Sequence, residues 1–195
     1  MRQSKWFYCV LAAILVFSVP SATWAKTQAE AVAEAKRFLD QAINARNAEQ
    51  YDQASKWSKQ AVAILQSEAP DEWELAESAL NLAGMSEMRL DHNEEASKLF
   101  KDALKVAGAH RSKSDRLLGI LNQHTAFAIG GTKYGGDSIP YYVQALEILA
   151  QHDADDTAKS YARVAFNNLS AIHIDRNEIS DAQKVCDRWL AFENG

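Results

Sequence analysis

The side chains of this chain that could do covalent chemistry are few and scattered. Five histidines, His92, His110, His124, His152 and His173, lie far apart, and no His-x-x-x-His or Cys-x-x-Cys step exists to chelate a metal. Ser170, His173 and Asp175 have the residue types of a nucleophile, a base and an orienting carboxylate. They share one helical stretch with diverging side chains, so His173 reads as a packing residue. The run Gly130–Gly136 lacks the Gly-Lys-Ser/Thr ending of a phosphate loop. No catalytic residue, cofactor or metal is expected. Recognition chemistry is better represented. Asn81, Asn167 and Asn168 each offer a donor and an acceptor to an extended backbone. Arg46 and Arg89 can attract a carboxylate, and Met85 and Met88 give adaptable apolar contact. Each of these alone is equally compatible with a solvated helix surface.

Charge narrows the partner class. The 195 residues carry a net charge of −5. Residues 1–25 hold Arg2 and Lys5 and no acid, so their removal takes the net charge to −7. Nucleic-acid binding needs clustered Lys and Arg to neutralise phosphates, and no basic stripe is present. Nor is a small-molecule substrate implied. The first 25 residues read as a secretory signal peptide. Met1–Lys5 is positive, Trp6–Val19 is uncharged, and Thr23-Trp24-Ala25 offers a small residue before Lys26. The apolar run of 14 residues is short of the roughly 18–20 of a membrane-spanning helix. The expected location is therefore the bacterial periplasm, with secretion or an inner-membrane anchor (an uncleaved signal) as the alternatives. Cys9 leaves with the signal. Cys186 then has no intrachain partner, and stability must come from packing.

The remaining residues, 26–195, are predicted to form one all-α domain. They are rich in Ala, Leu, Glu, Lys and Gln, with apolar residues recurring at three and four, as in Leu75, Ala79, Leu82 and Ala83. Eight helices are predicted, over 28–47, 52–67, 71–90, 93–108, 113–130, 138–151, 156–175 and 179–192. Thr27, Asp71, Ser138 and Ser180 stand where N-caps are needed, and Cys186 sits at a position read as a small buried one. One pattern recurs four times. Its anchors Ala54, Ala96, Ser138 and Ala182 are 42, 42 and 44 residues apart. A period of this size marks a stacked repeat.

The four units, about 28–68, 71–109, 113–151 and 156–192, resemble tetratricopeptide repeats. The second matches best, through Leu80, Gly84, Ala96, Phe100 and Ala103. The others match through Phe38, Ala42, Ala54 and Ala61; through Ala126, Ser138, Tyr142 and Ala145; and through Phe166, Leu169, Ser170 and Ala182. The usual period is about 34. The longer one resembles the long-helix variant of kinesin light chains and many bacterial repeat proteins. The resemblance implies a superhelical stack of about four helix-turn-helix repeats, an α-solenoid. It implies a non-catalytic scaffold that binds a protein or extended peptide in a concave groove, in roles such as envelope assembly or secretion.

Carried over position by position, the groove would be lined by Leu39, Ile43 and Arg46 from the first unit and by Asn81, Met85, Met88 and Arg89 from the second. The third would give Gln123, His124 and Phe127, or Asn122 if its first helix is shifted by one residue. The fourth would give Asn167, Asn168, Ala171 and Ile174. The last helix has no polar capping helix after it in this sequence. Val185, Trp189 and Phe192 would then form a second contact face, making the protein a self-associating subunit, unless Trp189 folds back over its own pair.

Overall fold

The structure is a computed structural model that describes residues 27–131 and 137–194. The segment read as a signal peptide lies outside these residues, as does most of the glycine-rich run. Among these residues eight α-helices follow one another: α1 (Gln28–Asn47), α2 (Tyr51–Glu68), α3 (Trp73–Arg89), α4 (Asn93–His110), α5 (Arg116–Gly130), α6 (Ile139–Leu149), α7 (Asp156–Asp175) and α8 (Ile179–Asn194). A single 3₁₀ turn, Ala150–His152, extends α6. No strand occurs among the described residues. Each helix packs on the next, and the first helices also touch in series, α1 on α3, α3 on α5 and α5 on α7. The protein is an all-α helical repeat stack whose first helices form one continuous layer. Among the described residues no helix is long and apolar enough to cross a membrane.

The repeat is visible in the turns. Glu49, Asp91 and Asn177 adopt left-handed backbone, with φ of 58°, 59° and 59°. Each is followed by the same closing bond: Gln50 N–H to Ala45 O, His92 N–H to Glu87 O and Glu178 N–H to His173 O, at 2.8, 2.9 and 2.8 Å. A left-handed residue and a bond back across five positions end a helix by satisfying its last carbonyls. Those three turns therefore send the chain back antiparallel in the same way. The third pair departs from this, through a longer link that contains Gly130 and Gly131.

The helix starts correct part of the sequence reading. Thr27 forms a full capping box with Glu30. Asp71 and Ser180 do not cap, because α3 begins at Trp73 and α8 at Ile179. Ser138 holds the N-cap position without a side-chain bond, and the Asp137 carboxylate accepts from Ile139 N–H instead. The capping carboxylates that sequence reading passed over are Asp115, which accepts from Leu117 N–H, and Asp155, which accepts from Thr157 and Ala158 N–H. Asp115 sits inside the stretch read as helix from 113, so its capping role depended on where the turn fell, whereas Asp155 stands directly before the predicted start at 156 and was passed over.

Packing follows the small residues. Ala42, Ala54, Ala96 and Ala126 are wholly buried where helices cross. Gly84 shows why size matters, since a Cβ built there would lie 2.7 Å from the ring of Phe100, itself completely buried. Cys186, expected to be buried at the same repeat position as Phe100, is exposed, with its sulfur 3.7 Å from Ser170 Oγ. Phe100 is packed with Ala128 of the following pair, whereas no described helix follows α8.

Three polar clamps join successive pairs. The buried Glu87 carboxylate accepts from Ser55, from Lys59 at 2.7 Å and from the ring of His92 at 2.7 Å. Burial pushes that carboxyl up, but the hydrogen bonds from Lys59, Ser55 and His92 outweigh it and hold it below its usual range. Arg111, at the C-cap of α4, pairs with the buried Glu77 of α3 at 2.7 Å, lies 5.0 Å over Trp73, and reaches Asp115 at the N-cap of α5 at 3.3 Å. Arg116 pairs with Asp155.

Glycine substitutions separate contact from propensity. Gly84→Val should cost about 1–3 kcal/mol of stability through overpacking against Phe100. Gly108→Ala, where nothing lies within 4 Å of the added Cβ, should instead stabilise by up to about 1 kcal/mol. Denaturant melts of the two variants check the opposite signs.

Candidate functional cleft

The layer of first helices carries two adjoining clefts. The smaller, of about 500 Å³, lies between α1 and α3 and takes Leu39, Ile43 and Asn81 into its wall. The larger, of about 830 Å³, is lined by Met88 and Arg89 of α3, by Gln123, His124 and Phe127 of α5, and by Ser160, Tyr161 and Val164 of α7. Arg46 and Met85 line both, so the two meet there. All ten groove residues expected from the first three units thus border one continuous depression.

The fourth unit does not follow. Asn167, Asn168, Ala171 and Ile174 line neither cleft. Asn168 donates from Nδ2 to the hydroxyl of Tyr142 at 3.0 Å and ties α7 to α6. Burial raises the Tyr142 phenol to about 12, with the Asn168 bond pulling weakly the other way. Ile174 is 56% exposed at the far end of α7. The reason is geometric. The depression meets α3 in its last turns, α5 near its middle and α7 in its first turns. Positions equivalent by repeat period are therefore not equivalent across the cleft. Tyr161 and Val164 were missed on these grounds, along with Tyr51 and Asp91. The signal for Tyr161 and Val164 is a spacing of three on the flank of the buried stripe Ala158, Ala162 and Ala165.

The register of α5 is also resolved. Asn122 is buried and donates from Nδ2 to Leu118 O at 2.8 Å, behind the cleft rather than in it. Its neighbours form the polar floor. The Nδ1 of His124 lies 3.1 Å from Asn81 Oδ1, and its ring sits between Phe100 and Tyr161, with centroids 5.2 and 5.4 Å away. Burial lowers the imidazole to about 4. Gln123 is 4% exposed, and its Oε1 has no hydrogen-bond partner among the described residues. A buried amide oxygen left unpaired costs about 1–3 kcal/mol.

The walls are apolar and cationic. Ile43, Phe127 and Val164 are three of the six large apolar side chains exposed among the described residues, and they come from α1, α5 and α7. Arg46 and Arg89 make no ion pair among the described residues, although Arg89 approaches the ring of Tyr51 at 6.0 Å.

Other groupings resolve as structural. His173 bonds through Nδ1 to Glu178 at 2.6 Å, not to Asp175, so no triad forms with Ser170. His173, Glu178 and Asp181 place ligand atoms within 4.8 Å of one another. Asp181 is paired with Lys184 at 2.8 Å, however, and the His173–Glu178 contact repeats the Glu87–His92 contact with the two residue types exchanged. It is a lock on the turn. In the expected C-terminal contact face Val185 is buried, and the half-buried Trp189 packs on Phe166 and Phe192, with ring centroids 5.1 and 5.7 Å away.

No family model matches the chain, and no curated protein matches it. Among solved structures it is similar to BtubC (BKLC) from P. vanneervenii, at 16% identity and a TM-score of 0.64, over 86% of this chain and 71% of that one. At that identity the likeness concerns the fold alone.

The buried imidazole makes stability depend on pH. Between pH 6.5 and about 4 the unfolded chain binds a proton at His124 that the folded chain does not. Stability therefore rises with pH across that window and is lost as the pH falls, by on the order of 3 kcal/mol. Thermal melts from pH 7 to 4.5 should show the fall, and His124→Phe should flatten it.

Proposed function

We propose that this chain is a non-catalytic, exported scaffold of the tetratricopeptide type that holds an extended segment of a partner polypeptide across its first-helix layer. The observation that carries this reading is the set of exposed apolar side chains gathered in the depression. Ile43, Phe127 and Val164 stand in one open groove beside Met85 and Met88. Exposed apolar residues that converge on a groove mark an interaction site, whereas single ones scattered on a surface carry no meaning. Length supports an extended occupant, since the depression crosses four helices. Charge supports an acidic one, since Arg46 and Arg89 enter the groove without an ion pair in a protein of net charge −5. Export rests on the sequence of residues 1–25 alone, and envelope assembly or secretion on the resemblance.

Selection of a random twelve-residue peptide library on the purified protein tests the reading. A selected peptide should bind Ile43→Ser, Met85→Ser and Phe127→Ser each roughly tenfold more weakly, about 1.4 kcal/mol. Arg46→Ala with Arg89→Ala should reduce the salt dependence of binding. Affinity unchanged in all of these variants would move the site off the groove. For export, the protein recovered from a bacterial periplasm should begin at Lys26. A chain retaining Met1 in the membrane fraction would make it anchored instead.

A further inference from the structure

The polar floor of the larger cleft is organised in a way the apolar walls are not. His124 is buried and, above about pH 4, uncharged. A neutral imidazole carries one N–H, and the partner of one ring nitrogen decides which. Asn81 Oδ1 lies 3.1 Å from Nδ1, so the proton sits on Nδ1 and Nε2 is left as a bare acceptor. No described residue hydrogen-bonds Nε2. The preceding residue, Gln123, contributes an amide that is 4% exposed with an unpartnered oxygen. Both residues line the cleft. Two acceptors without donors, on consecutive residues that both line the groove, describe a site that takes hydrogen-bond donors.

The kind of donor follows from the surroundings. An ammonium would enter beside two unpaired guanidinium groups, Arg46 and Arg89, with Asp91 as the carboxylate in the same cleft. A neutral N–H meets no such repulsion, and an extended polypeptide presents one at every residue. The aromatic walls, Phe127 and Tyr161, leave the flanks to side chains. We infer that Gln123 and His124 form a seat for a main-chain N–H of the bound segment and so fix its register along the groove, with Asn81 acting as a positioning residue that holds the His124 tautomer. The seat rests on the reading of the groove as a polypeptide site. It also reassigns Asn81, which acts through the imidazole rather than by touching the segment.

The test uses the wild-type protein and the library-selected peptide, together with a set of that peptide in which each backbone amide in turn is replaced by an ester. An ester removes one N–H and adds no bulk. One position should lose roughly tenfold in affinity while the others change by less than about threefold. In the ¹⁵N spectrum of the imidazole groups, one ring should show a protonated Nδ1 and a bare Nε2 at neutral pH, and its Nε2 signal should move when the peptide binds. Asn81→Ala should shift that ring toward the Nε2–H form and weaken the peptide several-fold. A bound peptide with no ester-sensitive position, or with an unmoved Nε2 signal, would overturn the seat and leave the groove standing. Failure of the library to yield any binder would overturn the groove reading, and the seat with it. Should Asn81→Ala not fold, the ester series and the wild-type spectrum decide the matter without it.

Discussion

Phe100 lies against bare backbone. A Cβ at Gly84 would come within 2.7 Å of its ring, so α3 and α4 can approach as they do only because position 84 has no side chain. The same ring then reaches the next pair. It packs with Ala128 of α5 and stands 5.2 Å from the imidazole of His124. One close crossing thus carries through to the floor of the cleft. A side chain at 84 would displace Phe100, and Phe100 supports the ring whose orientation the Asn81 bond fixes. Interiors packed at crystal-like density transmit such shifts rather than absorb them.

Polar clamps complete what this packing begins. The described residues have no pair of cysteines to close, and each unit covers its apolar face only with its neighbours. Glu87 gathers Ser55 of α2, Lys59 of α2 and His92 of the following turn around one buried carboxylate. Arg111, at the end of α4, bridges Glu77 of α3 to Asp115 at the start of the third pair, and Arg116 and Asp155 link the third pair to the fourth. The buried carboxylates Glu77 and Glu87, paired in this way, add little net stability against an apolar replacement, but removing a partner leaves a charge stranded. Their effect is to make one relative placement of neighbouring pairs much better than its alternatives. The depression across the first helices exists only at that placement.

Much of this was legible in the sequence. The residues that set the crossing, Gly84 with Ala96 and Phe100, stand in a recurring pattern, and pattern is a one-dimensional property. The N-cap at Thr27 is local and was read directly, and the structure adds Glu30 to make it a capping box. The cleft residues of the first three units were also placed in order, because each lies one period from the last. Legibility failed where distance in space departed from distance in sequence. Cys186 occupies the position of Phe100 but lacks a following described pair to bury it. Between the two readings left open for Trp189, an open face or a fold back over its own pair, only the structure chose, placing it on Phe166. The His173, Glu178 and Asp181 grouping crosses a turn, and no chelating spacing within one helix announces it.

The sequence by itself determined the helices, their pairing and the order in which they stack, since these follow from helical periodicity, turn chemistry and a repeat of 42 residues. Tertiary structure alone decided which residues share the cleft on α7 and what the polar floor can do. Asn167 is one period on from groove residues, yet the cleft takes Tyr161 and Val164, because the depression slants across the helices. Asn81 and His124 are 43 residues apart, and neither has meaning as a donor or acceptor until the crossing brings them to 3.1 Å. Periodicity records which face of a helix turns inward. The angle and offset between helices, which bring polar atoms within bonding distance, come from the summed packing of the whole stack.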